Sequence, residues 1–186
     1  MTRSEATARL MRHLRHHAVV ASLGHPTYDL FVAGDRPENF YTWGSMGLAS
    51  SIALGVALAC PDRPVIAVDG DGSLLMNLGS LATIGSCQPS NLVVLVWDNE
   101  AYGTTGGQPT ATARGADLAA AARAMRLDSV TVRTPDELDQ ALERANGLRQ
   151  AAVIVAKVEE SVPSGKPPLD CVSIKERFMA ALGAGA

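Results

Sequence analysis

The residues best suited to chemistry lie beyond two apolar runs. Asp69-Gly70-Asp71-Gly72-Ser73 follows the run 65–68 and sets a carboxylate between two glycines, then a hydroxyl at the start of a helical segment. Such glycines permit positive φ and close approach of backbone to a ligand. Successive N–H groups there can form an anion nest, and the positive end of a following helix favours a phosphate. Asp71 would then offer a hard oxygen to a magnesium ion bridging a diphosphate. After the run 92–97 comes Asp98-Asn99-Glu100-Ala101-Tyr102-Gly103, with an amide oxygen at Asn99 and loop carbonyls beyond it. An ordinary turn uses Gly and Asp as well. A dinucleotide fingerprint is excluded, because Leu75 stands where its third glycine belongs, and no G-x-x-x-x-G-K-[ST] occurs.

Positioning these loops requires a scaffold. The apolar runs 17–23, 65–68, 92–97, 129–132 and 152–158 are short, rich in Val and Ile and not alternating, as strands buried on both faces are. Helical segments fall between them, at 4–16, 28–33, 45–60, 77–86, 117–126, 136–146 and 172–182. The helix after Thr134 has a Thr cap, Pro135 at its first position and Asp136 and Glu137 in its first turn. Alternation of this kind predicts an α/β fold: a three-layer, doubly wound parallel sheet with helices on both faces and ligand-binding loops along one edge.

With 186 residues, 47% hydrophobic and 19% charged, the chain suits a single domain, 1–186, in which the Pro/Gly-rich segment 160–170 is a linker to a final helix. A net charge of -3 with scattered basic residues argues against nucleic acid. No run approaches the roughly 20 apolar residues of a membrane span, and the start lacks a signal-type apolar run. Cys60, Cys87 and Cys171 form neither a disulfide framework nor a zinc pattern, which fits a reducing cytoplasm. His13, His16 and His17 are expected on a solvated basic face.

Gly70-Asp71-Gly72-Ser73, followed by Asp98-Asn99, resembles the thiamine-diphosphate signature that opens with GDG and closes with NN. The closing pair is DN here; the departure falls on the non-ligating position. Trp43-Gly44-Ser45-Met46-Gly47 is similar to the family's turn facing the aminopyrimidine ring. The stretches 73–80 and 102–110 extend the resemblance to the sulfopyruvate and phosphonopyruvate decarboxylase branch.

This resemblance implies thiamine diphosphate and Mg2+ as cofactors. The metal would be held by Asp71, Asn99 and the Ala101 carbonyl. Gly70, Gly72, Ser73, Tyr102, Gly103 and Thr104 would contact the diphosphate. Gly44, with Ser45 beside it, would receive the pyrimidine amino group, and Met46 would wedge between the two rings. The family's pyrimidine-binding module is absent, and with it the glutamate that activates the cofactor. The expected protein is therefore the diphosphate-binding (beta) subunit of a 2-oxo acid decarboxylase, active with a separate pyrimidine-binding (alpha) subunit. The assembly would be a hetero-oligomer with at least two copies of each chain. A carboligating enzyme of the same cofactor, or a non-catalytic scaffold subunit, shares these motifs. His25, after the first strand, could face an acidic substrate group, although a capping or surface histidine is the plainer reading. Expected catalytic groups are otherwise on the partner.

Overall fold

The computed structural model describes residues 1–183. Six parallel strands form one sheet in the order β2-β1-β3-β4-β8-β7. They are β1 (Ala18–Ala21), β2 (Asn39–Tyr41), β3 (Val65–Gly70), β4 (Leu92–Asp98), β7 (Asp128–Val132) and β8 (Ala152–Lys157). A separate two-stranded hairpin, β5 (Ala101–Tyr102) and β6 (Gln108–Pro109), hangs beyond the end of β4.

Successive side chains of a strand point to opposite faces, so each central strand feeds two cores. Ala18, Val20, Val65, Ala67, Val94, Val96, Val153 and Val155 pack with α3 (Ala49–Ala59), α4 (Asp71–Met76), α5 (Ser80–Cys87) and α6 (Leu118–Ala124). Val19, Ile66, Val68, Leu95, Trp97 and Ile154 pack with α1 (Arg3–His13), α2 (His25–Ala33) and α7 (Pro135–Gly147). The last helix, α8 (Cys171–Ala181), closes the β2 edge, sending Phe178 into the first core and Ile174 into the second. The three-layer α/β architecture expected from the sequence is thus present. Among the described residues no helix is long and apolar enough to cross a membrane.

Local details depart from expectation where side-chain or backbone chemistry overrides the apolar pattern. The helix expected over 45–60 starts only at Ala49, because Ser45 (φ 62) and Gly47 (φ 87) take left-handed conformations that a helix cannot contain. The helix expected over 77–86 begins only at Ser80, and a separate helix, α4, precedes it from Asp71 to Met76, where Asn77 ends it, its amide donating to the Gly47 carbonyl at 3.0 Å. Strand β2 was not expected, since three residues give no readable run. The first helix ends at His13 rather than 16, and His17 is buried against Asn146 instead of solvated. Burial lowers its pKa. The Thr134 cap does form, as a full capping box with Glu137, the kind of cap that contributes on the order of 1 kcal/mol.

Candidate functional site

Strand order reverses at β1: β2 lies on one side of it, and β3 follows on the other. The crevice between the carboxyl ends of β1 and β3 is where open α/β sheets bind ligands. A cavity of about 320 Å³ opens there. Ser22, Leu23 and His25 reach it from β1, Gly70 to Ser73 from β3, and Asn99 and Ala101 to Thr105 from β4. Met46 closes one side. Gly44 and Ser45 are exposed and do not line it.

Asp71 is 1% exposed. Its Oδ2 accepts from the hydroxyls of Thr110 at 2.5 Å and Thr112 at 3.0 Å. Burial raises its pKa, the nearby Asp98 adds to the rise, and the two hydroxyls oppose it. A bound divalent cation would act in the opposite direction. As the first residue of α4, Asp71 also opens a run of backbone N–H groups with no intrahelical acceptor.

The glycines serve differently from expectation. Neither Gly70 (φ -103) nor Gly72, inside α4, uses positive φ. A Cβ on Gly70 would meet nothing within 4 Å, whereas one on Gly72 would stand 2.4 Å from the Tyr102 ring. Gly72 is therefore small so that the hairpin can lie against α4. Ser73 ties the crevice together: its Oγ is 2.9 Å from Ser22 Oγ and accepts from the Gly47 N–H at 2.9 Å. With the hydroxyl so engaged, the backbone N–H is the group Ser73 has to offer a ligand. Beneath it Asp69 is fully buried, and that burial raises its pKa against the opposing Ser73 and Ser22 hydroxyls.

On the β4 side, the Asn99 amide nitrogen donates to Glu160, and its Oδ1 has one long contact, 3.4 Å from the Ala101 N–H. Ala101 pairs with Pro109, which has no N–H to give the Ala101 carbonyl. Thr104 packs its methyl on Gly24, where a Cβ would come within 2.7 Å.

These donors fit a magnesium diphosphate. One buried carboxylate, one amide oxygen and one loop carbonyl make a hard, incomplete oxygen set of the kind Mg2+ uses together with phosphate oxygens. Among the described residues no group of three or more His, Cys, Asp or Glu could hold a metal without such help.

Several lining residues were not anticipated. Arg3, Trp97 and Met76 face the same cavity, and Glu160 braces it from the segment expected to be a linker. Arg3 sits in a basic first helix that reads as solvated, yet it is 2% exposed and its Nε bonds Asp29. A full capping box at Thr2–Glu5 is the signal that could have fixed where the helix starts and which way Arg3 points. His25 meets the expectation of lying at the ligand edge, and its Nδ1 is 2.8 Å from Glu160 Oε1.

A cofactor-binding α/β domain with its cavity at the switch point is the class that this fold and site define. The description "Thiamine pyrophosphate enzyme, C-terminal TPP binding domain" matches residues 24–156, and the chain belongs to that family. It is 44% identical over 168 residues to sulfopyruvate decarboxylase subunit beta of Methanocaldococcus jannaschii, covering 88% of this chain and 87% of that one. It is 43% identical to the subunit of the same name from Methanococcus maripaludis, covering 98% of both. Phosphonopyruvate decarboxylase of Streptomyces viridochromogenes is 40% identical over 96% of this chain, which spans 46% of that longer protein. Among solved structures, the thiamine diphosphate-dependent 4-hydroxybenzoylformate decarboxylase of Rhodococcus jostii shares the fold at TM-score 0.76 and 18% identity. The match covers 87% of this chain and 33% of that one, so the chain spans about a third of its length.

Proposed function

We propose that this chain is the diphosphate- and magnesium-binding subunit of a two-chain, thiamine-diphosphate-dependent 2-oxo acid decarboxylase of the sulfopyruvate and phosphonopyruvate type. The observation that carries the reading is convergence: Asp71, Asn99, Met46 and the first turn of α4, from three separate loops, line one cavity at the switch point. Relatives named as beta subunits, matched over nearly their whole length, support the two-chain arrangement.

In this reading Asp71, Asn99 and the Ala101 carbonyl hold Mg2+, and the backbone N–H groups of Gly72 and Ser73 and the 102–104 loop take the diphosphate. Met46 receives the rings at the cavity wall, and the exposed Gly44 carbonyl meets the pyrimidine only where the partner chain completes the site. Thiamine diphosphate, when bound, supplies a thiazolium ring that accepts the electron pair released as carbon dioxide leaves. The chain's own contribution is to orient, to exclude water and to place charge. Its cationic wall is already balanced, since Arg3 is paired with Asp29 and Glu160. The positive groups that a sulfonate or phosphonate requires therefore come from the pyrimidine-binding partner, in an assembly with at least two copies of each chain. Free thiols at Cys60, Cys87 and Cys171 support a cytoplasmic site of action.

Calorimetric titration of thiamine diphosphate with Mg2+ into the chain, alone and mixed with its partner subunit, tests this. Binding in the mixture that is abolished by Asp71→Ala, with carbon dioxide release from sulfopyruvate or phosphonopyruvate, is the expected result. No uptake in either sample would sink the reading.

A further inference from the structure

Glu160 lies outside every cofactor motif, just past β8, yet three donors from three elements converge on its carboxylate. Oε2 accepts from the Asn99 side-chain N–H and stands 3.1 Å from an Arg3 guanidinium nitrogen. Oε1 is 2.8 Å from His25 Nδ1. Gly103 comes close on one side: a Cβ there would be 3.1 Å from His25 Nδ1 and 3.2 Å from Glu160 Oε1. The main chain fixes the carboxylate's place as well. Val158 N–H donates to the Asp98 carbonyl at 3.0 Å, Glu159 N–H to the Met1 carbonyl at 2.9 Å, and Arg3 N–H to the Glu159 carbonyl at 3.0 Å. Arg3 is itself held by Asp29, with both side chains 3% exposed.

An ionised carboxylate can only accept hydrogen bonds, so the end of the Asn99 amide that faces it must be the NH2. Oδ1 is then forced to the other end, and only the oxygen can serve as a hard metal ligand. The same argument sets the neutral His25 ring: with Nδ1–H given to Glu160, Nε2 is left as an acceptor.

We propose that Glu160, steadied by Arg3, is a positioning residue for the magnesium site that locks the Asn99 amide with its oxygen available to the cation and sets the His25 tautomer. The inference rests on the proposed function, because it gives Asn99 the role of metal ligand.

The test is Mg2+ titration at saturating thiamine diphosphate into the chain mixed with its partner, for Glu160→Ala in two backgrounds. Glu160 is nearly half exposed, so its truncation leaves both cores intact, which thermal melting checks. With Asn99 present, loss of this brace weakens Mg2+ by roughly 10–100-fold, the usual cost of removing such a partner. In the Asn99→Asp background it costs nothing further, because a carboxylate has two equivalent oxygens and needs no orienting. Glu160→Gln, whose one amide oxygen can stand in the place of Oε2 and accept from both Asn99 and Arg3, restores the affinity. Unchanged affinity for Glu160→Ala, or equal losses in both backgrounds, overturns the inference while leaving the proposed function standing. A wild-type mixture that takes up no Mg2+ overturns the proposed function itself, and the inference with it.

Discussion

Lys157 Nζ stands 2.7 Å from Asp98 Oδ2, a carboxylate that is 2% exposed. Asp98 is the residue that breaks the family's NN pair, and Lys157, at the end of the neighbouring strand β8, neutralises the charge that the change introduces. Thr112 Oγ1 lies 2.8 Å from Asp98 Oδ1 and 3.0 Å from Asp71 Oδ2, so its one proton serves either the compensated carboxylate or the expected metal ligand. Burial alone would lower the Lys157 pKa, but Asp98 and Glu100 outweigh it and keep the ammonium charged.

Lys157→Met therefore leaves a buried carboxylate without its cation. We expect a loss of roughly 2–4 kcal/mol in urea unfolding, near the lower end for a broken buried pair because Lys157 keeps some contact with water. Adding Asp98→Asn, which restores the NN pattern, should recover most of that loss. A double variant as unstable as the single one would show that Lys157 acts through packing and not through Asp98.

Gly72→Ala drives a methyl against the edge of the Tyr102 ring, at 2.4 Å in the unrelaxed structure. The ring must move, at a cost of about 1–3 kcal/mol, and the 102–104 loop moves with it. Weaker thiamine diphosphate binding by calorimetry is the expected readout. Tyr102→Ala in the same background should return stability, measured by denaturation, toward that of Tyr102→Ala alone.

Thr110 donates to Asp71 Oδ2, and Thr112, whose one proton also faces Asp98, lies within hydrogen-bond distance of the same oxygen. Thr110→Val removes one of these bonds without changing shape and leaves the buried carboxylate under-bonded, a loss of about 1–3 kcal/mol. Because Mg2+ supplies the missing interaction, saturating Mg2+ and thiamine diphosphate should narrow the difference in melting temperature between the variant and the wild-type mixture. An unchanged gap would mean that no cation reaches Asp71.

Acid stability should depend on Asp35. Burial would raise its carboxyl, but bonds from Arg177 and Tyr41 overcome this and hold it below its ordinary value of 3.8. A depressed carboxyl contributes stability at and above its unfolded value and loses it as pH falls through the folded one. The Asp35→Asn chain should thus be less stable near neutrality and show a flatter fall below pH 3.8. Urea midpoints measured across that range check the sign.

The parts of this fold that are legible in the sequence are those where one physical demand dominates. Buried parallel strands such as Leu92–Asp98 and Ala152–Lys157 announce themselves through uninterrupted Val and Ile, and the α7 start through its cap. Asp71, Asn99 and Met46 are readable because their flanking glycines and strand-end positions carry chemistry. Arg3 and Glu160 are not readable, for they are charged residues at the chain's start and in a Pro/Gly-rich segment, and only the docking of α1 beside the end of β8 brings them together. Strand β2 and the β5–β6 hairpin escape for another reason: two or three residues hold no period, and their pairing partners lie far off or across a glycine turn. The packing of Gly72 against Tyr102 is not readable either, because a glycine's absent side chain says nothing about which neighbour needs the space.

The β5–β6 hairpin shares no strand with the six-stranded sheet and is anchored through Glu100, Tyr102 and Thr110. Gly103 and Thr104 are held against His25, Glu160 and Gly24, so within the turn only Gly106 and Gly107 lie outside the cavity, where a change would not shift the register of the six-stranded sheet. The hairpin thus works as a bracket: its base is tied to the sheet's end while its near side forms one wall of the cavity, so a substitution at the base is felt in the site and one at the tip is not.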